Sequence, residues 1–223
     1  MSVVAISLQV SPLRVMIEGA VKDTTGVLVT ADFDAALAGA LARYSKDRPR
    51  LVVADISGSG VQDYAVPAGW VDGLSTVESI EYPAGQIPEA LLDSDDWKLY
   101  RSPSGIKIRL IESTPRTGET IRVLFSAGHD SSTIPDLDSA AVANLAASYC
   151  CRRLAQSYGQ TSDASIQADS VNYRSKGDEF ARRAKELEGL YRIHVGVKEG
   201  DTAPAASVTV EAPERERRRM THR

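Results

Sequence analysis

The hydrophobic period of this chain changes twice, and that change constrains its fold more than any other feature. Apolar residues recur every three or four positions from about residue 10 to 46, follow a strand pattern from about 50 to 126, and return to helical spacing up to about 195. The pattern predicts an α+β chain: a helical bundle with a small antiparallel β module inserted between its second and third helices, plus an extended C-terminal arm. The boundaries expected are 1–49 and 127–196 for the helical body, 50–126 for the β module and 197–223 for the arm.

Ser11 followed by Pro12 reads as a helix start, because proline at the first helical position lacks only an N–H that would be unpaired anyway. Leu13, Ile17 and Val21 then share one face. Thr30 is expected to cap a second helix in which Phe33, Leu37, Leu41 and Tyr44 recur at helical spacing and Asp32 and Asp34 suit the positive end of the dipole. Pro49 should stop it. Alanines 31, 35, 36, 38, 40 and 42 leave thin surfaces on which a helix of the same copy or of the next can approach closely.

Asp136 and Asp138 open a third helix with Val142, Leu145, Tyr149 and Tyr158 on a stripe and alanines around it. It should run about 22 residues, roughly 33 Å, and give way to an irregular polar stretch from Gly159. Ser175 and Asp178 resemble a capping box before a fourth helix carrying Phe180, Ala184, Leu187 and Tyr191. On its other side Glu179 and Arg183, Arg182 and Glu186, and Glu188 and Arg192 are four apart and mark a solvated or subunit-facing surface. The residues expected to pack subunits together are Leu37, Leu41, Leu145, Tyr149, Phe180, Leu187 and Tyr191.

Between the helical regions, residues 51–56, 62–66, 74–82, 97–101, 106–111 and 120–125 read as six short strands separated by Gly/Pro turns. They make a small sandwich or barrel. Ile106, Ile108 and Leu110 alternate with Lys107, Arg109 and Ile111, as expected when one sheet face is packed and the other largely wet.

A net charge of −4 with 25% charged residues gives no basic field for gripping phosphates. The start of the chain lacks the basic region of a secretory signal, and no apolar run reaches a bilayer span, so neither membrane nor export is expected. Cys150 and Cys151 are adjacent in a helical pattern, a geometry that fits buried packing in a reducing compartment better than a disulfide. His129, His194 and His222 have no metal-ligand spacing, and neither metal nor cofactor is expected. His129 with Asp130, and Asp93, Asp95 and Asp96 beside Trp97, are the candidates for hydrolytic acid–base chemistry, but each fits a turn equally well. Gly58, Ser59 and Gly60 lack the lysine of a phosphate loop and read as a turn. Trp70, Tyr82, Trp97 and Tyr100 either line a carbohydrate or peptide groove or fill the β core.

After Gly196 the composition loosens into a β-prone Ser207, Val208, Thr209 and Val210, then a run from 211 to 223 with five arginines and three glutamates. Arg215, Arg217, Arg218 and Arg219 suit bidentate pairing with a partner's carboxylates, at an ordering cost of about 1–2 kcal/mol per residue that only a sizeable interface offsets.

Five strings occur in an order that resembles a known family: Val66-Pro67-Ala68-Gly69-Trp70-Val71-Asp72-Gly73, Val77-Glu78-Ser79-Ile80-Glu81-Tyr82-Pro83, Asp96-Trp97-Lys98-Leu99-Tyr100, Ala141-Val142-Ala143-Asn144-Leu145-Ala146-Ala147 and Asn172-Tyr173-Arg174-Ser175-Lys176. The chain resembles, over about residues 28 to 195, the head–tail adaptor (neck or connector) proteins of long-tailed bacteriophages. The resemblance implies a structural virion protein at the head–tail interface, made in the host cytoplasm, and not an enzyme. It implies a homo-oligomeric ring of about twelve copies that joins the phage portal protein to a stopper or tail-completion protein and extends the channel through which DNA is ejected without specific binding. It also implies that Val208, Val210 and the four arginines form a portal-binding arm. A stopper or tail-completion protein of the same neck is the nearest alternative, and a carbohydrate- or peptide-binding β module the next.

Overall fold

The computed structural model describes residues 12–161 and 176–197, so the expected cap at Ser175 and the arm lie outside the described residues. The first helix, α1, spans Pro12–Val21 and buries Leu13, Ile17 and Val21, as its spacing requires. The second, α2, spans Thr30–Asp47. Its cap differs from the expected one by a residue: Thr30 is already helical, and Val29 holds the extended cap position. Val29 has no side-chain acceptor to offer the first helical amides, and Asp32, in the first turn, reaches back to accept the Val29 N–H at 3.0 Å. The Thr30 hydroxyl instead accepts a bond from Arg14 at 3.1 Å.

The third helix, α3, spans Asp136–Thr161, 26 residues against the 22 or so anticipated. It continues through Gly159 because Tyr158 is anchored: its hydroxyl lies 2.6 Å from Thr25 Oγ1, and its ring stacks on Phe180 at 5.6 Å. The fourth, α4, spans Lys176–Val195. Helices α1, α2 and α4 each pack on α3, which is therefore enclosed. Ala141, Val142, Ala143, Leu145, Ala146, Ala147, Cys150, Cys151 and Leu154 are all buried along it. Small side chains make this possible, since only they let three helices approach one axis. Ala36 and Ala40 of α2 serve the same in-chain core, whereas Ala31, Ala35, Ala38 and Ala42 stay exposed. Each fully buried Leu, Ile or Val in such a core contributes about 1.5–3 kcal/mol.

The six strands are β1 (Arg50–Ser57), β2 (Asp63–Ala65), β3 (Val77–Glu81), β4 (Trp97–Ser102), β5 (Gly105–Leu110) and β6 (Thr120–Ala127). They form two three-stranded sheets, ordered β1-β6-β3 and β2-β5-β4, antiparallel throughout. Ile121, Val123 and Phe125 from the first sheet meet Tyr64, Ile108 and Leu110 from the second in one core, separate from the helical one. The described residues thus form four helices and two small antiparallel sheets, an α+β fold. Strand β3 begins at Val77 instead of 74 because Ser75 closes a turn, donating its N–H to Val71 O and accepting the Val71 N–H on its hydroxyl, both at 2.9 Å. Gly58 is obligatory after β1: a Cβ there would stand 2.3 Å from Arg116 O. The inserted segment enters and leaves through neighbours, since Arg50 pairs with Ala127 at the root of β1 and β6.

Candidate interaction surfaces

Among the described residues, a polar cluster lies where the helical body meets the root of the β module. Asp138, in the first turn of α3, accepts hydrogen bonds from the Tyr44 hydroxyl and from Arg48 Nη1 at 3.2 Å, and sits 2.6 Å from His194 Nε2. Arg48 also donates to the His194 carbonyl at 3.2 Å, and Tyr191 donates to Asp47 at 2.7 Å. These bonds fix the last turn of α4 against the end of α2, two residues before β1 starts. Burial pushes the Asp138 carboxyl up, but Tyr44, His194 and Arg48 outweigh it and hold the group below the usual carboxylate range. Burial first, and then Asp138, raise the Tyr44 hydroxyl. These side chains are tied to one another and to the His194 carbonyl, and the geometry of the cluster is that of a pin. In the sequence Asp138 is marked only as an acid that opens a helix, because its partners lie far away in the chain.

The sequence candidates for chemistry are dispersed. His129 places Nδ1 3.1 Å from Thr133 O and Nε2 3.1 Å from Arg48 O, so both ring nitrogens are occupied by backbone carbonyls. Asp130 turns away into its own loop, where the Ser132 hydroxyl and backbone and the Thr133 backbone hold its carboxyl low. Asp96 accepts the Asp93 N–H at 3.2 Å and closes the turn before β4. Burial pushes the Cys150 thiol up to about 12 and the Cys151 thiol up to about 11, which leaves both protonated and unreactive at neutral pH. Among the described residues no group of three metal-ligating side chains comes together, and no helix is long and apolar enough to cross a membrane.

The aromatic residues do not make an open platform. Trp70, Tyr82 and Trp97 pack half-buried on the β core, with Trp70 stacked 6.1 Å from Phe125. Tyr100 is covered by the Arg109 guanidinium 3.8 Å above its ring, and Arg109 is itself held by Asp63 at 2.6 Å.

Of the residues expected to pack subunits, Leu145 and Tyr191 are buried within this chain's own core, and Leu37, Leu41, Tyr149, Phe180 and Leu187 are half-buried against it. Val208, Val210, Arg215, Arg217, Arg218 and Arg219 lie outside the described residues. The pair Arg182 and Glu186 stays exposed, 3.6 Å apart. Glu188, by contrast, is half-buried: it reaches Arg152 on α3 as well as Arg192, so that part of the charged side is an in-chain contact.

Unpartnered apolar surface appears instead on the outer faces. Leu190 and Ile193 of α4 are 54% and 79% exposed, and Leu137 at the start of α3 is 87% exposed. Lys185, Glu188, Gly189, Arg192, Ile193 and Val197 line a shallow groove of about 530 Å³ along α4. Val15 and Met16 project from α1. On the β module, Leu51 and Val53 of β1 are 59% and 57% exposed.

No protein-family model matches the chain, and no curated protein matches it. Among solved structures it is similar to a chain in the virion of a native gene transfer agent (GTA) particle, with 18% identity, a TM-score of 0.32, and coverage of 77% of this chain and 87% of that one. It is also similar to a chain in the neck of the native GTA particle computed with C12 symmetry, at 16% identity and a TM-score of 0.30, covering 78% and 92%. A third is in the neck of the empty GTA particle computed with C6 symmetry, at 18% identity and a TM-score of 0.30, covering 76% and 88%. The similarity is thus to chains of virion and neck assemblies.

Proposed function

We propose that this protein is a structural component of a virion neck, a head–tail adaptor whose copies close into a ring between a portal and a stopper or tail-completion protein. The observation that carries the reading is the division of apolar surface: the core around α3 is complete, yet Leu137, Leu190, Ile193, Val15 and Met16 remain outside it. On this reading these residues are covered when copies meet in the ring. The five strings that resemble head–tail adaptors, and an arginine-rich arm beyond a pinned α4, support the same reading. In a closed ring each copy makes the same modest contact, and repetition raises the strength far above that of a single pair. A net charge of −4 suits a channel through which DNA slides without being held.

On this reading the arm, with Arg215, Arg217, Arg218 and Arg219, reaches acidic groups on the portal once the ring has docked. The experiment is co-sedimentation with portal-bearing, tail-less heads of the protein with and without residues 198–223. The full chain should pellet with the heads and the truncated chain should stay in the supernatant with an unchanged circular dichroism spectrum. Equal docking by both forms would refute the arm, and docking by neither would refute the adaptor.

A further inference from the structure

The first sheet ends in an open edge. Strand β1 pairs with β6 along one side, and among the described residues no backbone hydrogen bond reaches its other side. The opposite edge of the same sheet is covered, because Tyr82 N–H donates to Ala90 O and Leu92 N–H to Ile80 O, both at 2.8 Å. The Gly58 N–H bond to Glu119 O sets the alternation of the β1–β6 ladder, so the amides of Val52, Ala54 and Ile56 face β6 and those of Leu51, Val53 and Asp55 face the open side. Side chains tell the same story. Ile121, Val123 and Phe125 on the inner face of β6 are fully buried, while Val52, Ala54 and Ile56 on the inner face of β1 are only half-buried. Of its eight residues only Arg50 and Asp55 are charged, Asp55 is already paired with Arg122, and none is proline or lysine, so the edge with its two exposed aliphatics is weakly guarded and is a template for one more strand.

The occupant is indicated by where the chain leaves the helical body. The Arg48 bond to the His194 carbonyl holds the last turn of α4 beside the residues that enter β1, and the described chain ends at Val197. Nine further residues, 198–206, extend at most about 30 Å, slightly more than the roughly 26 Å length of β1. They lead to Ser207, Val208, Thr209 and Val210, an alternating β-branched stretch. A tether of that length keeps the stretch at a millimolar effective concentration near the edge, well above that of a second copy in dilute solution.

We propose that Ser207, Val208, Thr209 and Val210 add as a fourth strand to the open edge of β1 in the same chain. Val208 and Val210 then lie on the side of Val52, Ala54 and Ile56 and complete their burial, while the arginines from 215 onward stay free to reach a partner. This strand fixes the root of the arm. The inference stands apart from the neck reading, since it concerns the isolated chain.

Amide hydrogen exchange on the full-length protein at low micromolar concentration tests it, comparing the natural chain with a Val208→Asp, Val210→Asp double variant. The changes lie outside the two cores, so the fold persists in both. Leu51, Val53 and Asp55 should exchange about tenfold or more faster in the variant, with Val52 and Ala54 unchanged as internal controls. Equal exchange in the two proteins overturns the proposal. So does protection that appears only as concentration rises: if the variant retains it, β1 edges of two copies are pairing, and if the variant loses it, the strand comes from a neighbouring copy.

Discussion

The helical body and the β module solve the same packing problem in different ways. In the body, α3 is enclosed by three other helices, and polar pins from Asp138 and Asp47 lock the end of α4 inside the chain. The module has a core on one face only, and its outer face and β1 edge carry Leu51, Val53 and the exposed pair Asp55 and Arg122. Closure on all sides concentrates stability in the body, whereas the module keeps backbone and apolar groups available for pairing. The junction through Arg50 and Ala127 lets one hang from the other without sharing a core.

Equal truncations on the two sides would break this comparison most sharply. Leu154→Ala on α3 should cost about 3 kcal/mol of stability in urea unfolding, while Val53→Ala should stay within about 0.5 kcal/mol. Similar losses would mean that the outer face of β1 is packed in the folded chain. Asp138→Ala, which leaves Arg48 and Tyr44 without their acceptor, should cost about 3 kcal/mol, and its amide-exchange signature should appear first at the end of α4. The pH response sharpens this. A carboxyl held low in the folded state contributes stability above its ordinary value of about 3.9, and that contribution is lost as pH falls through the lower folded value. Asp138→Asn should therefore flatten the loss of stability below about pH 5 relative to the natural protein, as read from urea midpoints across that range.

A smaller effect is expected at Gly58→Ala, where the added methyl meets Arg116 O. It should cost about 1–3 kcal/mol and raise exchange within β1 and β6 before the helices respond. The smallest effect on folding belongs to Leu190→Ser with Ile193→Ser, within about 0.5 kcal/mol each, although the double change should weaken self-association in sedimentation velocity. Unaltered association would remove α4 from the ring interface.

Much of the fold is legible in the sequence because period is a local property. Leu13, Ile17 and Val21 on α1, and Ala184 and Tyr191 on α4, are buried at their expected spacings. The number of strands is legible as well, since Gly and Pro turns separate them. Ends are less so: Ser75 looks like part of a strand until its hydroxyl is seen accepting the Val71 N–H, and Gly159 looks like a helix stop until Tyr158 is seen tied to Thr25. The Asp138 cluster is hidden because Tyr44, Arg48 and His194 come from distant parts of the chain with no fixed spacing. The open edge of β1 is hidden for a related reason. Strand order β1-β6-β3 depends on the last strand returning to the first, which no local pattern encodes.

Electron microscopy of the purified protein added to portal-bearing, tail-less heads is the most direct test. The account predicts a closed ring of identical copies at the portal vertex, with the outer faces of α1 and α4 in contact between neighbours. Heads that remain bare at that vertex while the protein stays dispersed as single copies would contradict it.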